Sequence, residues 1–346
     1  MINVFVLKKE HTVLADEKSE ILENIELILK SNSSVNLNCS MDEADALIIQ
    51  EEFSFKNFRY VRSLKNDPVF RKYANKIFTI NTDDCATGLV KGFYTSLPKK
   101  RYDPKVHLIL PYLWMPNELI LNKEQEVTPA YLATWRGNSK SNRIRNKIVK
   151  LFSNVAAFDI HPTKSWFNHS VEEKQLYKNS LMNAKFSLCP GGWAPVTFRI
   201  YESMAVGRCP VILADQFVPP VGPDWESFSI FVSENKVSQL KEIIQEKEHL
   251  YQELGEKAYQ AWLTFFSPSN VYSHYSQTLV DLIESTNLSN VRSEFERWES
   301  FSMYVNNSWT IPQRLMNKIK KKIPLGDFAD RIAEKLETFK LCGANS

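Results

Sequence analysis

The residues best equipped for chemistry lie in one run, Pro190-Gly191-Gly192-Trp193-Ala194-Pro195-Val196-Thr197-Phe198-Arg199, with Glu202 and Gly207 following. Paired glycines let a backbone turn sharply and lie close to a ligand. A helix is expected to begin near 195–197, where proline is tolerated in the first turn and Thr197 can cap. It should stop at Gly207, with Pro210 opening the next strand. The free N–H groups and positive dipole end of such a helix favour an anion. Arg199 falls in the first turn, and its planar fork matches two oxygens of a diphosphate. Glu202, three residues on, shares that face and can accept hydrogen bonds from two neighbouring hydroxyls, as a ribose presents. Guanidinium for phosphate and carboxylate for diol would suit a nucleotide-sugar without a metal. The same pair also suits an ordinary i,i+3 surface salt bridge of about 0.2–0.5 kcal/mol. Residue types alone leave both readings open.

The elements that must position this run alternate between strand-like and helix-like stretches. Strands are expected at 2–7, 46–49, 76–80 and 106–110, with a helix over 17–29, a polar loop at 31–38 and a mixed segment at 53–73. A proline-punctuated, then polar, stretch at 111–128 reads as a linker. The alternation restarts with strands at 130–135, 155–159, 186–189, 209–213 and 228–232 and helices at 142–152, 171–183, 198–206 and 237–254. This pattern predicts an α/β protein of parallel sheets covered on both faces. Two Rossmann-like halves facing across a cleft are expected, over 1–128 and 129–290, with a helical tail at 291–346. In that tail Ile311, Leu315, Met316, Ile319 and Ile323 recur near helical spacing beside Arg314, Lys318, Lys320, Lys321 and Lys322. The result is a basic amphipathic segment at 311–325, suited to packing on the body or to an anionic membrane face.

Composition removes other classes. At 346 residues, 43% hydrophobic and 24% charged, the chain is globular and of one or two domains. A net charge of +3 is weak for a nucleic-acid binder, so no nucleic-acid partner is expected. Five cysteines without a C-x-x-C fit a reducing compartment and no zinc or disulfide framework. Asp42-Glu43-Ala44-Asp45 spells a helicase box, but no phosphate loop precedes it. No dinucleotide fingerprint, H-e-x-x-H or G-x-S-x-G occurs, and the six histidines lack metal-ligand spacing. Apolar runs are only strand-sized, predicting a soluble, cytoplasmic protein, with peripheral membrane contact through 311–325 as a further expectation.

The stretch Phe186-x-Leu188-Cys189-Pro190-x-Gly192, then Arg199-x-x-Glu202, then Gly207-x-x-Pro210-Val211-Ile212, resembles the signature of exostosin-type glycosyltransferases. Trp135-Arg136-Gly137 with Arg143, and Asp224-Trp225-x-x-Phe228-Ser229, resemble two further blocks of that family, so the likeness spans roughly 133–232. The resemblance implies a GT-B architecture, with the donor in the C-terminal half and the acceptor in the N-terminal half. It also implies an inverting transfer without metal or other cofactor, from a nucleoside-diphosphate sugar (UDP-sugar favoured) to a glycan or glycolipid hydroxyl in surface polysaccharide synthesis. Arg199 would hold the diphosphate, Glu202 the ribose, Arg143 a second phosphate, and Gly137, Gly191, Gly192 and Thr197 would complete the donor site. Val218-Pro219-Pro220-Val221 lacks the family's usual Pro-Phe. A fucosyltransferase-like enzyme using a GDP-sugar is the alternative, although it would usually carry Lys where Ser203 stands, and a non-catalytic glycan- or nucleotide-binding subunit is another. Inversion needs a general base. Strand ends of the first half offer Glu51, Glu52, Asp83 and Asp84, with His11 behind them.

Overall fold

The computed structural model describes residues 1–16, 19–51, 60–82, 84, 86–113, 117–121, 127–163, 170–286 and 290–307. These divide into two compact units. The first takes the described residues within 1–113, 218–223 and 264–308, and the second those within 114–217 and 224–263. Each is a parallel sheet with helices, so the α/β class expected from the alternation is the class observed.

The first unit holds β1 (Ile2–Leu7), β2 (Val35–Asn36), β3 (Ala46–Ile49), β4 (Ile77–Asn81), β5 (Lys91–Tyr94) and β6 (His107–Ile109), in the order β2-β1-β3-β4-β5-β6. Strands β3, β4 and β5 are buried along their whole length, as a parallel sheet covered on both faces requires. Between β3 and β4, Asp67 starts the helix Pro68–Tyr73. Its carboxylate accepts from the Val69 and Phe70 N–H groups at 2.9 and 3.1 Å, and Pro68 takes the first helical position.

Three helices late in the chain belong to this first unit. Val271–Thr286 lies against helix Ser19–Lys30 and β5, directed by Val271, Tyr275, Leu279 and Ile283 at helical spacing. Val291–Trp298 follows, and Trp298 is buried in the core with its indole N–H donating to the Leu89 carbonyl at 2.6 Å. Phe301–Asn307 ends the described chain. The division by chain order at 128 and 290 therefore differs from the one observed, because amphipathic helices distant in sequence complete the first unit's core. The basic segment 311–325 lies outside the described residues. Two strands also went unexpected: β2 is two residues long, and β5 contains Lys91 and Gly92, which hide its apolar character.

The second unit holds β7 (Tyr131–Asn138), β8 (Phe158–Thr163), β9 (Ala184–Pro190), β10 (Cys209–Leu213) and β11 (Ile230–Phe231), ordered β11-β10-β9-β7-β8. Helices Arg143–Phe152, Val171–Met182 and Phe198–Ala205 link successive strands. Asn142 caps the first of these and a Ser170–Glu173 capping box starts the second. The core joins Trp135, Ile148, Phe158, Leu188, Val211 and Leu240. In this order β7, the first strand, lies between β8 and β9. The chain therefore reverses direction at the β7/β9 boundary, and ligands of open α/β sheets bind outside the carboxyl ends of strands at such a point.

Candidate functional site

The β7/β9 boundary collects most of the residues singled out in the sequence. Gly137 is the penultimate residue of β7, and Gly191 and Gly192 follow the end of β9. Neither Gly191 nor Gly192 has a positive φ, so backbone handedness does not require glycine at either position. A Cβ on Gly192 would lie 3.0 Å from an Arg145 Nη, and one on Gly191 would lie 3.4 Å from the Ala214 Cβ.

The loop leads to helix Phe198–Ala205, whose cap residue Thr197 is extended, at φ −144° and ψ 143°. The Thr197 side chain makes no capping hydrogen bond, so its expected capping role is served by backbone geometry alone. At the other end Gly207 has φ 69°, Gly207 N–H donates to Met204 O at 3.0 Å, and Arg208 N–H donates to Ser203 O at 2.8 Å. These paired bonds form a Schellman motif, which accounts for the glycine at that position.

Arg199 is 8% exposed. One Nη donates to the Arg136 carbonyl on β7. The guanidinium carbon lies 5.8 Å from the Trp135 ring centroid and 5.3 Å from that of Tyr177. Two aromatic rings thus fix the guanidinium. Among the described residues it has no carboxylate within ion-pair distance, and its Nε is buried without a hydrogen-bond partner. The Arg136 Nε and the Trp135 indole N–H, on the same strand, are likewise buried without an acceptor. Native interiors leave few such donors unmatched. Trp135 and Arg136 are adjacent on β7 and so point to opposite faces of the sheet, which leaves the Arg199 Nε as the unmatched donor on the helix that follows β9.

Glu202 is 4% exposed, and its Oε2 accepts from the Tyr177 hydroxyl at 2.6 Å. Burial holds the Tyr177 phenol well above its usual range, with Arg199 pulling in the opposite direction. Burial also pushes the neighbouring Cys189 thiol up to about 11, so it is not a thiolate nucleophile at neutral pH. Ser203, one residue beyond Glu202, is fully buried, and its hydroxyl donates to the Arg199 carbonyl.

Two arginines of the helix after β7 face different surroundings. Arg143 is exposed at the first position of its helix, and Arg145 turns inward instead. The Arg145 guanidinium donates to the carbonyls of Gly191 at 3.0 Å, Asn138 at 3.2 Å and Pro190 at 3.4 Å. The Asn142 side-chain amide adds a bond to Gly192 O at 3.2 Å. Helical side chains lean toward the N-terminus, which carries the third helical residue rather than the first over the loop. The arginines are thus exchanged across the boundary: Arg145, after β7, holds the β9 loop, and Arg199, after β9, holds β7. Tyr177 and Arg145 were not found from sequence. Arg145 was within reach of this leaning argument, whereas Tyr177 sits on a helix with no clear apolar stripe to orient it.

The general-base candidates lie in the first unit. Glu51 directly follows the residue after β3, is 1% exposed, and accepts from the Asn81 amide. It also forms an antiparallel bridge with Ala15. Asp84 is half-buried beyond the end of β4. His11 is half-buried, and its Nδ1 accepts from the Lys8 N–H at 3.0 Å. Glu52 and Asp83 lie outside the described residues.

Fold and site together define a parallel α/β protein whose second sheet presents arginines and a glycine loop at its switch point. The chain belongs to the Exostosin GT47 family, whose domain profile matches residues 75–247, half of its length. Relatives include the probable glucuronosyltransferase GUT1 of Oryza sativa subsp. japonica, 36% identical over 102 residues. The probable beta-1,4-xylosyltransferase IRX10 of Arabidopsis thaliana is 38% identical over 102 residues. Each match covers 29% of this chain and 22% and 23%, respectively, of the relative's own length. Among solved structures, TarM overlaps 83% of this chain and 50% of its own at 11% identity and a TM-score of 0.34.

Proposed function

We propose that this chain is a glycosyltransferase that moves a sugar from a nucleoside-diphosphate donor to a hydroxyl of a glycan or glycolipid acceptor, with inversion and without a metal. The reading rests on Arg199, a buried guanidinium at the switch point with no acid partner among the described residues. Positive charge held in advance where a leaving diphosphate gains negative charge lowers the barrier without reorganisation. Arg199 and the N-terminus of its helix fill that role, with Glu202 on the ribose. Arg145 holds the glycine loop through its carbonyls, and the exposed Arg143 would give a second phosphate contact. The relatives' names, a glucuronosyltransferase and a xylosyltransferase, favour a UDP-sugar donor and polysaccharide synthesis.

Ser203 favours this reading over a fucosyltransferase-like one, since it contributes a buried hydroxyl where that class would place a cation. Direct inversion needs a base that an acceptor hydroxyl can reach. Of the two described base candidates, Asp84 is half-buried and Glu51 is enclosed, which favours Asp84 for that role. A GT-B arrangement, with the acceptor on the first unit, completes the scheme. No helix among the described residues is long and apolar enough to cross a membrane. A cytoplasmic enzyme touching the inner membrane face through 311–325 is our reading of its location.

Calorimetry of the intact chain with UDP, GDP and CDP tests the assignment. UDP should bind, and Arg199→Ala should abolish that binding. No binding of any of the three, or equal binding by wild type and variant, would overturn it. Donor turnover that persists in EDTA supports a metal-free reaction; loss restored by a divalent cation overturns that part.

A further inference from the structure

Resting on the donor-site reading above, we propose that Tyr177 is a positioning residue that holds Glu202 off Arg199, so that carboxylate and guanidinium reach opposite ends of one nucleoside diphosphate. Arg199 and Glu202 are three residues apart on one helix, the spacing at which such side chains close a salt bridge. They do not close one: among the described residues, Arg199 has no carboxylate within ion-pair distance. Tyr177, from helix Val171–Met182, touches both. Its hydroxyl donates to Glu202 Oε2 at 2.6 Å, and its ring centroid lies 5.3 Å from the Arg199 guanidinium carbon. On the far side, Trp135 and the Arg136 carbonyl keep the guanidinium turned toward β7.

The geometry gives one tyrosine two tasks. Its hydroxyl holds one oxygen of a nearly buried carboxylate, and its ring supports the neighbouring cation from a second direction. Without the hydroxyl, Glu202 should rotate onto Arg199, and two ligand groups would neutralise each other. A tyrosine that only joined two helices would contribute stability and nothing to the charge state of the pocket.

The test measures UDP affinity by calorimetry for wild type, Tyr177→Phe, Glu202→Gln and the double variant, with thermal unfolding as a check on folding. Tyr177→Phe should weaken UDP binding about tenfold. Adding Glu202→Gln to it should then improve binding by threefold or more, because the neutral amide releases Arg199. This reversal of sign is not expected of a residue that only packs. Wild-type affinity in Tyr177→Phe, or no improvement in the double variant, would overturn the proposal. If Tyr177→Phe does not fold, Tyr177→Met, which likewise lacks the hydroxyl donor, is compared with and without Glu202→Gln under the same criterion. Wild-type protein that binds no nucleoside diphosphate would instead remove the donor-site reading itself.

Discussion

The two sheets follow the same winding rule, with the first strand flanked by the second and third, yet their switch points carry opposite chemistry. In the second unit the β7 and β9 ends meet at glycines and arginines, and the buried Arg199 Nε there lacks an acceptor. In the first unit the β1 and β3 ends meet at Gln50 and Glu51, across which the chain folds back: Ala15 bridges Glu51, and Asp16 N–H donates to Gln50 O at 2.9 Å. One end gathers guanidinium groups, and the other encloses a carboxylate. Topology decides where a site can lie, while the side chains at that place decide what it holds.

The sharpest way to break the comparison is to ask which first-unit carboxylate does chemistry. Asp84→Asn should lower kcat by about 10²–10⁴-fold, the usual scale for a general base, with UDP affinity unchanged. Glu51→Gln should leave kcat within a few fold, because an enclosed carboxylate cannot meet an acceptor hydroxyl. Steady-state kinetics reversing these outcomes would move the base to the first unit's switch point and make the two sites functional counterparts. Arg199→Ala comes next, at about 2–5 kcal/mol in donor recognition, the scale for removing one side of a buried charge contact. Its thermal unfolding should show only the loss of a hydrogen bond to Arg136 O, about 1 kcal/mol.

Much of this site was legible in the residues. Gly207 and Pro210 set the helix boundary because a left-handed C′ position and a strand opening each have strong residue preferences. Arg199 and Glu202 were found because their spacing forces a shared face. What escaped depends on packing between separate elements. Arg145 rather than Arg143 faces the loop because of how helical side chains lean, and Tyr177 reaches Glu202 from a helix 25 residues earlier in sequence. The unit division escaped for the same reason, since Trp298 finds its core partners on strands and helices more than 200 residues away.

Glycines sharpen the contrast at smaller cost. Gly92 on β5 has φ 128°, and an added Cβ would lie 2.2 Å from the Thr79 backbone oxygen. Gly92→Ala should destabilise the protein by about 1–3 kcal/mol from backbone conformation alone, and by more through overlap, as denaturant unfolding would register. Gly137 is not left-handed, and its added Cβ would lie 3.3 Å from an Arg199 Nη. Gly137→Ala should therefore leave stability nearly unchanged and weaken UDP binding about tenfold, or about 1.4 kcal/mol, by displacing the guanidinium. A large stability loss at Gly137 with intact UDP affinity would assign it to the fold, like Gly92.

The smallest effect compares the buried cations directly. Lys91 is as enclosed as Arg199 but is provided for within the protein. Its Nζ donates to Asn75 O at 2.6 Å, lies 3.9 Å from a Glu294 oxygen and 4.7 Å from the Phe78 ring centroid. Burial lowers its pKa to about 8, with Glu294 opposing that fall and Arg297 reinforcing it. Between pH 8 and the ordinary lysine range the unfolded chain holds a proton that the folded protein has released. Stability from this group therefore rises with pH across that window, and below pH 8 the full penalty of burying a charge remains. Lys91→Met removes both the charge and the slope. Glu294 keeps Arg297 at 2.9 Å, so no carboxylate is stranded, and the variant should match or exceed wild-type stability at pH 7. Its advantage should shrink as unfolding is measured from pH 8 toward pH 10, whereas an advantage that grew over that interval would mean Lys91 is charged and favourably paired in the folded state.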